Sequence, residues 1–354
     1  MAPPTTLFSF YTSLIRSLLA LIFARLYKPQ ELRPRNLSGQ TAIVTGANSG
    51  IGLSIAVALA KQGANVCLAC RNADRGAAAV DRVVSSCGDK TQGHVTCRIL
   101  DVGDLSSVRA FCGDWDGEID MLVHNAGIAE AGVGAATKSK DGLDVVYATN
   151  FLGSYLTTHL LEAKLAPTAR VVFTSSSGAY AGASHFLRES DDTAPSKDHP
   201  PGILARTTAG IKDALGIPEN TADAYALSKA QQVLFASLLQ ARFSASPLPG
   251  RTAHAFMPGF ATTAIFGKLD VSWRTWISNP LFAVLKATER WIAVDSDEGA
   301  KTGVWLASWG DELEGGGFWE WMEQRTSFVG LMGEGRKKRE WGVWERDAGI
   351  VWEK

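Results

Sequence analysis

Apolar runs of strand length alternate along most of the chain with stretches whose apolar residues recur at helical spacing. The strand-length runs occupy residues 41–45, 65–69, 95–100, 121–124, 170–174 and 252–257, and the helical patterns occupy 53–62, 75–86, 105–111, 143–165 and 224–241. Strands that are separated by helices pair in parallel through right-handed crossovers. The pattern therefore predicts a single α/β domain, with a doubly wound parallel sheet of about seven strands.

Two regions interrupt this alternation. Residues 177–224 are polar and rich in turn-forming residues, and residues 264–354 contain ten of the eleven tryptophans. Both regions follow predicted strands, whose carboxyl ends form the edge where open α/β sheets bind ligands. We expect residues 177–224 to form an extended loop at the mouth of a pocket. The tryptophans either pack the last helices against the core or line an apolar substrate pocket.

Residues 1–28 form an apolar segment, and residues 29–38 form a polar linker to a domain at 39–354. A helix over residues 7–27 would extend about 31 Å, enough to span a bilayer core, although Arg16 makes a full span costly. A helix that lies in the membrane interface is the second arrangement, and a helix packed on the core or on a partner subunit is the third. In the interface a polar stripe would face water; it consists of Ser9, Thr12, Ser13, Arg16 and Ser17.

Basic residues cluster on the carboxyl side of this segment, at Arg25, Lys28, Arg33 and Arg35. By the positive-inside rule they favour a cytosolic main domain attached to a membrane, such as that of the endoplasmic reticulum. A cytoplasmic protein is the alternative. If the segment is a tether, a chain that starts near Pro29 should be soluble and active.

The composition is that of an ordinary globular protein, with 46% hydrophobic and 20% charged residues. A net charge of −1 shows no basic excess, so nucleic acid is not an expected partner. The five cysteines have no histidine companions at ligand spacing and favour reduced thiols, so we expect neither a metal site nor a disulfide framework. A homo-oligomer is compatible with the sequence, which does not fix the oligomeric state.

The first predicted strand leads directly into a glycine-rich turn, and a helix follows. Glycines permit a tight turn and a close approach of the backbone to a pyrophosphate. The N-terminus of the following helix offers free N–H groups and the positive end of its dipole. This context predicts a nucleotide site formed by Gly46, Asn48, Ser49, Gly50, Ile51 and Gly52.

Arg71 follows the second predicted strand and bears on the choice of nucleotide. NAD-selective sites carry an acidic residue at this place for the ribose hydroxyls, whereas an arginine accommodates a 2′-phosphate. Positions 69–73 contain no Asp or Glu. NADP(H) is therefore favoured as the cofactor, and NAD(H) stays possible because Arg71 could be a solvated loop residue.

Tyr225 and Lys229 stand four residues apart on a predicted helix and therefore share one face. A phenol with an ordinary pKa of about 10 exchanges protons poorly at neutral pH, and a cation beside it would lower that pKa. Ser176, at the end of a predicted strand, can donate a hydrogen bond to a substrate carbonyl oxygen. Each feature alone is usually structural, so the prediction of catalysis depends on their occurring together.

These motifs occur in the order found in the short-chain dehydrogenase/reductase family, which residues 37–263 resemble. The resemblance implies a Rossmann-type fold and catalytic roles for Asn150, Ser176, Tyr225 and Lys229. By this analogy Asn150 holds a water that links Lys229 to solvent. Further cofactor contacts are implied, besides Tyr225 and Lys229, for Asp101, Val102, Asn125, Ala126, Gly127, Pro258, Gly259, Ala261 and Thr263.

The glycine-rich turn and the segment Ala69-Cys70-Arg71-Asn72 resemble most the retinol-dehydrogenase-like branch, which is often NADP-linked and membrane-associated. The chain departs from the usual pattern at His124, where asparagine is common, and in a longer separation between Ser176 and Tyr225. The longer separation bears on substrate choice, because the extra residues would lie at the pocket mouth.

The resemblance implies an NADP(H)-dependent enzyme that interconverts a ketone or aldehyde and an alcohol. The aromatic C-terminal region favours an apolar small-molecule substrate, such as a terpenoid, steroid, retinoid or polyketide-like compound. A catalytically silent NADP(H)-binding sensor on the same fold is the first alternative, although sensors typically lack the tyrosine or the lysine. A membrane-tethered scaffold is the second, and an absence of nucleotide binding would favour it.

Overall fold

The computed structural model describes residues 4–23, 31–88, 93–129, 137–187, 219–259 and 294–352. Within these ranges eight strands form one sheet. In chain order they are β1 Thr41–Thr45, β2 Asn65–Cys70, β3 Val95–Ile99, β4 Ile119–His124, β5 Leu165–Thr174, β6 Thr252–Met257, β7 Phe318–Glu320 and β8 Glu323–Arg325.

The strand order across the sheet is β3-β2-β1-β4-β5-β6-β7-β8. All pairings from β3 to β7 are parallel, and β8 pairs antiparallel with β7. The chain winds outward from β1 in one direction and from β4 in the other, so the order reverses between these two strands. This arrangement confirms the predicted doubly wound fold and leaves a crevice at the carboxyl ends of β1 and β4, where such sheets bind ligands.

The helices cover both faces of the sheet, as the alternating pattern predicted. They are α1 Pro4–Ile22, α2 Gly50–Lys61, α3 Ala73–Cys87, α4 Leu105–Gly113, α5 Val145–Tyr147, α6 Gly153–Leu161, α7 Gly178–Leu187, α8 Glu219–Ala245, α9 Ser296–Trp309 and α10 Glu334–Ala348. An apolar cluster lies on each face of the sheet. The cluster under α6 and α8 includes Phe151 and Phe235, and the cluster under α2 and α9 includes Leu59 and Val304.

The helix predicted over residues 143–165 is divided. A π-helical turn, Ala148–Leu152, separates α5 from α6, and a 3₁₀ turn follows α6. Strand β5 already begins at Leu165, five positions before the predicted start at residue 170. Pro167 and Thr168 are exposed and interrupt the apolar run, which explains why the pattern missed the first part of the strand.

Three C-terminal tryptophans pack in the core. The ring centroids of Trp341, Trp344 and Trp352 lie 5.6, 5.8 and 5.1 Å from that of Tyr155 on α6. For these three the interpretation as core packing therefore holds. Trp319 lies on the opposite face of the sheet, and the predicted positions Trp273, Trp276 and Trp291 lie outside the described residues.

Helix α1 packs against the main domain. Phe10 is fully buried, with its ring centroid 5.5 Å from that of Tyr180 on α7. The Ser17 hydroxyl donates to the buried carboxylate of Glu320 at 2.8 Å, and Ser13 is buried as well. The expectation that the polar stripe faces water is therefore wrong for Ser13 and Ser17, which bond the main domain, whereas Ser9, Thr12 and Arg16 of the same stripe are exposed.

The exposed side of α1 carries both apolar and polar residues. Its large apolar side chains are Leu7, Phe8, Ile15, Leu19 and, just after the helix, Phe23, and Thr5, Ser9, Thr12 and Arg16 are exposed as well. No helix among the residues that the structure describes is long and apolar enough to cross a membrane. Of the three predicted arrangements, the described part of α1 fits packing against the core, with several large apolar side chains left exposed.

Part of the predicted linker is also ordered against the domain. Leu37 is fully buried, and the Arg35 guanidinium bonds the Asp311 carboxylate at 2.5 Å and the Ser308 carbonyl at 2.6 Å. These contacts lie at the amino ends of the strands, away from the ligand-binding edge. Their effect is to fix the path by which the chain enters β1.

Candidate active site

The glycine-rich turn between β1 and α2 needs glycine at two places. Gly46 and Gly50 have positive φ angles of 65° and 56°, a conformation that strains other residues. A Cβ atom at Gly46 would also lie 2.8 Å from the Cα of Ala126. A side chain at Gly46 would therefore separate the turn from the loop that follows β4.

The N-terminus of α2 fits the phosphates of a dinucleotide. Ser49 is the N-cap residue, and its side chain makes no capping hydrogen bond within the helix. No described atom lies within 4 Å of a Cβ built at Gly50, so the backbone can be approached there. The first N–H groups of α2 and the side chains of Asn48 and Ser49 are the groups that would hold a pyrophosphate.

The loop after β4 is bonded to the end of β1. Thr45 Oγ1 accepts hydrogen bonds from the backbone N–H groups of Asn125 at 2.9 Å and Ala126 at 3.1 Å. The side-chain amide of Asn125 (Nδ2) donates in turn to the backbone carbonyl of Thr45 at 3.1 Å. Sequence reasoning missed Thr45, although its place directly before Gly46 was the available signal. These bonds bring the predicted cofactor residues Asn125, Ala126 and Gly127 beside the glycine-rich turn.

Three further predicted cofactor residues follow β2 and β3. Arg71 is exposed at the carboxyl end of β2. This end of β2 is bonded to the glycine-rich turn, because the Gly46 N–H donates to the carbonyl of Ala69 in β2 at 2.9 Å. Asp101 is half-buried and accepts a bond from the Gly103 N–H at 3.0 Å, whereas Val102 is buried. All three lie at the strand edge that carries the glycine-rich turn.

His124, the departure from the family pattern, contacts the core. Its ring stacks on Phe173 with centroids 4.9 Å apart, and its Nε2 lies 2.9 Å from Thr158 Oγ1. Burial lowers the pKa of His124 to about 3. At neutral pH the residue is therefore an uncharged core side chain, and it brings no charge to the cofactor loop.

Lys229 lies beneath the ring of Tyr225 on α8. Its Nζ is 5.6 Å from the ring centroid and donates to the Thr174 carbonyl at 2.8 Å. Burial lowers the pKa of Lys229 to about 7. Burial also raises the pKa of Tyr225, and a hydrogen bond with Ser176 partly opposes this rise.

The expectation that Lys229 lowers the pKa of Tyr225 is not met in the free protein. The ammonium bonds a backbone carbonyl of β5 and faces the tyrosine ring, so it does not bond the phenolic oxygen. Desolvation dominates both groups and disfavours both charged forms. A neutral phenol is the resulting form of Tyr225 at neutral pH.

The serines at the end of β5 have different partners. Ser175 is buried, and its hydroxyl donates to the Lys229 carbonyl at 2.8 Å, so it fixes α8 to the sheet. Ser176 is half-buried, and its Oγ accepts a hydrogen bond from the Gly178 N–H at 3.1 Å. A Cβ at Gly178 would lie 3.6 Å from Ser176 Oγ and 3.5 Å from Tyr225 Cε1, so all three residues meet in one place.

Asn150 lies in the π-helical turn and is fully buried. Its Oδ1 accepts from the Ile128 N–H at 2.7 Å, and its Nδ2 donates to the Ile128 carbonyl at 2.9 Å and to Ser228 Oγ at 3.0 Å. A Cβ at Gly127 would lie 3.2 Å from Asn150 Oδ1 and 3.5 Å from Lys229 Nζ. The structure thus brings Asn150, Gly127 and Lys229 together, and π-helical turns are frequent at functional sites.

Pro258 and Gly259 follow β6 at the same edge of the sheet. A Cβ at Gly259 would lie 3.2 Å from the ring of Trp321, so this buried tryptophan backs the loop. The predicted cofactor residues Ala261 and Thr263 lie outside the described residues.

Comparisons with known proteins agree with this geometry. A family model described as short chain dehydrogenase matches residues 40–187. Bovine dehydrogenase/reductase SDR family member 13 is 34% identical over 75% of this chain and 64% of its own length, and mouse retinol dehydrogenase 11 is 32% identical over 77% and 74%. A crystal structure of a putative uncharacterized protein from Mycobacterium Paratuberculosis is 26% identical, with a TM-score of 0.60 over 90% of this chain and 97% of that one.

The parallel sheet, the glycine-rich turn and the polar groups beside it define the class as a Rossmann-type dehydrogenase fold. Together with these relatives, they show that the chain belongs to the short-chain dehydrogenase/reductase family. The predicted similarity to the retinol-dehydrogenase-like branch is confirmed as well.

Proposed function

We propose that the protein is an NADP(H)-dependent oxidoreductase that interconverts a ketone or aldehyde and an alcohol on an apolar small molecule. The observation that carries the proposal is the convergence of Ser176, Tyr225, Lys229 and Asn150 beside the glycine-rich turn. The groups come from β5, α8 and the π-helical turn, and all lie at the carboxyl edge of the sheet.

Tyr225 and Ser176 act on the oxygen of the substrate. In the reductive direction the neutral phenol of Tyr225 gives its proton to the carbonyl oxygen, and Ser176 donates a hydrogen bond to that oxygen. Bound NADPH supplies the hydride to the carbonyl carbon. The raised pKa of Tyr225 suits this direction, because it keeps the proton on the phenol until the substrate oxygen becomes basic.

Lys229 and Asn150 position other groups of the site through hydrogen bonds. Lys229 is fixed by the Thr174 carbonyl, and we expect its ammonium to bond a ribose hydroxyl of the cofactor. Asn150 bonds both backbone groups of Ile128 and thereby anchors the loop after β4 to the π-helical turn. The cofactor loop and the catalytic helix are thus connected through buried hydrogen bonds, which favour a single geometry.

A substrate panel tests the proposed function. Purified protein and NADPH are mixed with apolar ketones, aldehydes, steroids, quinones and retinal, and absorbance of the cofactor is followed. We expect oxidation of NADPH with at least one apolar carbonyl compound, and retinal is included because several relatives are named as retinol dehydrogenases. NADPH binding without oxidation by any compound would favour a nucleotide sensor instead.

Arg71 is proposed to select NADP(H) through the 2′-phosphate. Arg71→Asp should weaken NADPH binding far more than NADH binding, by roughly ten- to a hundred-fold, because a charge-assisted hydrogen bond is worth about 1.5–3 kcal/mol. Dissociation constants for both cofactors give the ratio. Arg82→Asp, an equal charge change at an exposed position of α3, is the control. An unchanged NADPH/NADH ratio in Arg71→Asp would show that Arg71 does not contact the phosphate.

Membrane association is proposed to occur through the outer face of α1. Phe8, Ile15 and Leu19 are 75%, 56% and 48% exposed, while the opposite face of the helix is bonded to the domain. A helix with this division of faces suits the interface of a membrane without crossing it. The main domain would then lie in the cytosol, as the basic cluster in the sequence predicts.

A further inference from the structure

Gln232 connects the lysine of the site to the π-helical turn. The residue is fully buried on α8, three positions after Lys229. Lys229 Nζ donates to Gln232 Oε1 at 3.3 Å, and Gln232 Nε2 donates to the backbone carbonyl of Asn150 at 2.7 Å. The amide thus makes one bond with each of two groups in the site.

We propose that Gln232 is a positioning residue that holds the Lys229 ammonium and links it directly to the Asn150 carbonyl. This inference rests on the proposed function and adds a direct side-chain link beside the water that family resemblance implies between Asn150 and Lys229. An amide oxygen only accepts and an amide nitrogen only donates, so Gln232 cannot pass a proton from one to the other.

The pKa of Lys229 should respond to changes at Gln232, because few other polar groups of the described structure surround the Lys229 ammonium. Tyr225 on the same helix is the titratable side chain that contacts it within the described residues. The groups that approach it from β5, from the π-helical turn and from the loop after β4 are Thr174, Asn150 and Gly127, all uncharged. With no acidic partner among these groups, the acceptors that face the ammonium are the Thr174 carbonyl at 2.8 Å and the Gln232 amide oxygen at 3.3 Å.

Two substitutions should shift the titration of Lys229 in opposite directions. Gln232→Glu places a carboxylate beside the ammonium and should raise the pKa of Lys229 by about one unit or more. Gln232→Leu removes the acceptor at similar volume and should lower that pKa. The pH at which NADPH binding weakens, measured by cofactor fluorescence, should move up in the first variant and down in the second. NMR titration of isotope-labelled lysine in the free protein gives the same comparison without nucleotide.

Gln231→Leu is the matched control, because this neighbouring glutamine is also buried and its Oε1 has no partner within the described structure. It should leave the titration of Lys229 unchanged. Shifts in one common direction for both Gln232 variants, or no shift in either, would overturn the proposal and leave Gln232 a packing residue. An absence of turnover in the wild-type protein, with the opposite shifts intact, would instead refute only the proposed function.

Discussion

Replacement of Tyr225 by phenylalanine should abolish nearly all turnover while leaving the fold and NADPH binding in place. The change removes the one oxygen that can give a proton to the substrate, and a positioned acid–base group typically contributes about 10²–10⁴-fold to the rate. The ring itself stays, so its contact with Lys229 is retained. The measurement is kcat with the best substrate of the panel, together with the Kd of NADPH.

Tyr155→Phe is the matched control for this prediction. It removes the same atom from a fully buried tyrosine whose hydroxyl has no hydrogen-bond partner within the described residues. Activity and stability should therefore be close to those of the wild type. If Tyr225→Phe keeps more than about a tenth of the wild-type kcat, well above the loss expected for an acid–base group, Tyr225 is not the proton donor.

The central sheet could be predicted because its strands carry continuous apolar runs between helices. Six of the eight strands were expected near their observed positions, and the parallel pairing of these strands was expected from the helices between them. The last two strands, β7 and β8, have three residues each, too few for a pattern to show. They pair only because β6 offers a free edge, which depends on the assembled sheet.

The site could be predicted as a set of residues but not as a network. The motifs identified Tyr225, Lys229 and Asn150 through spacing and family resemblance, whereas the roles of Thr45 and Gln232 depend on contacts between distant segments. The protonation states were also beyond the sequence. A spacing of four residues on a helix indicates that two side chains share a face, but it does not give their protonation states. Burial determines these states, and here it disfavours the charged forms of both Tyr225 and Lys229.

The spacing of serines in the N-terminal segment is compatible with two different surroundings of the helix. Serines at helical spacing beside apolar residues are compatible with a helix whose polar stripe faces water. They are equally compatible with a stripe that bonds buried polar groups of the same chain. Glu320 and Arg325 form an ion pair of 3.0 Å that is almost fully buried, and Ser17 bonds the carboxylate. The ion pair forms between β7 and β8, which the sequence did not reveal.

Deletion of residues 1–22 should destabilise the protein, contrary to the expectation for a detachable tether. The deletion removes Phe10 and Leu14 from the core, and burial of each is worth about 1.5–3 kcal/mol. It also uncovers Tyr180 on α7, a helix that begins two residues after Ser176, and it removes Ser17 from the carboxylate of Glu320. We expect a fall in Tm on the order of 10 °C, with a lower kcat/KM. Thermal unfolding of the full-length and shortened chains measures the first effect.

A triple variant of the full-length chain, Phe8→Ser, Ile15→Ser and Leu19→Ser, separates docking on the domain from attachment to a membrane. These side chains are on the outer face of α1, so the Tm should stay close to that of the wild type. Co-flotation with phosphatidylcholine vesicles should fall by more than about tenfold, because three large apolar side chains no longer enter the interface. A shortened chain with unchanged Tm and kcat/KM would show that α1 is only a tether. Unchanged flotation of the triple variant would show that its outer face does not contact lipid.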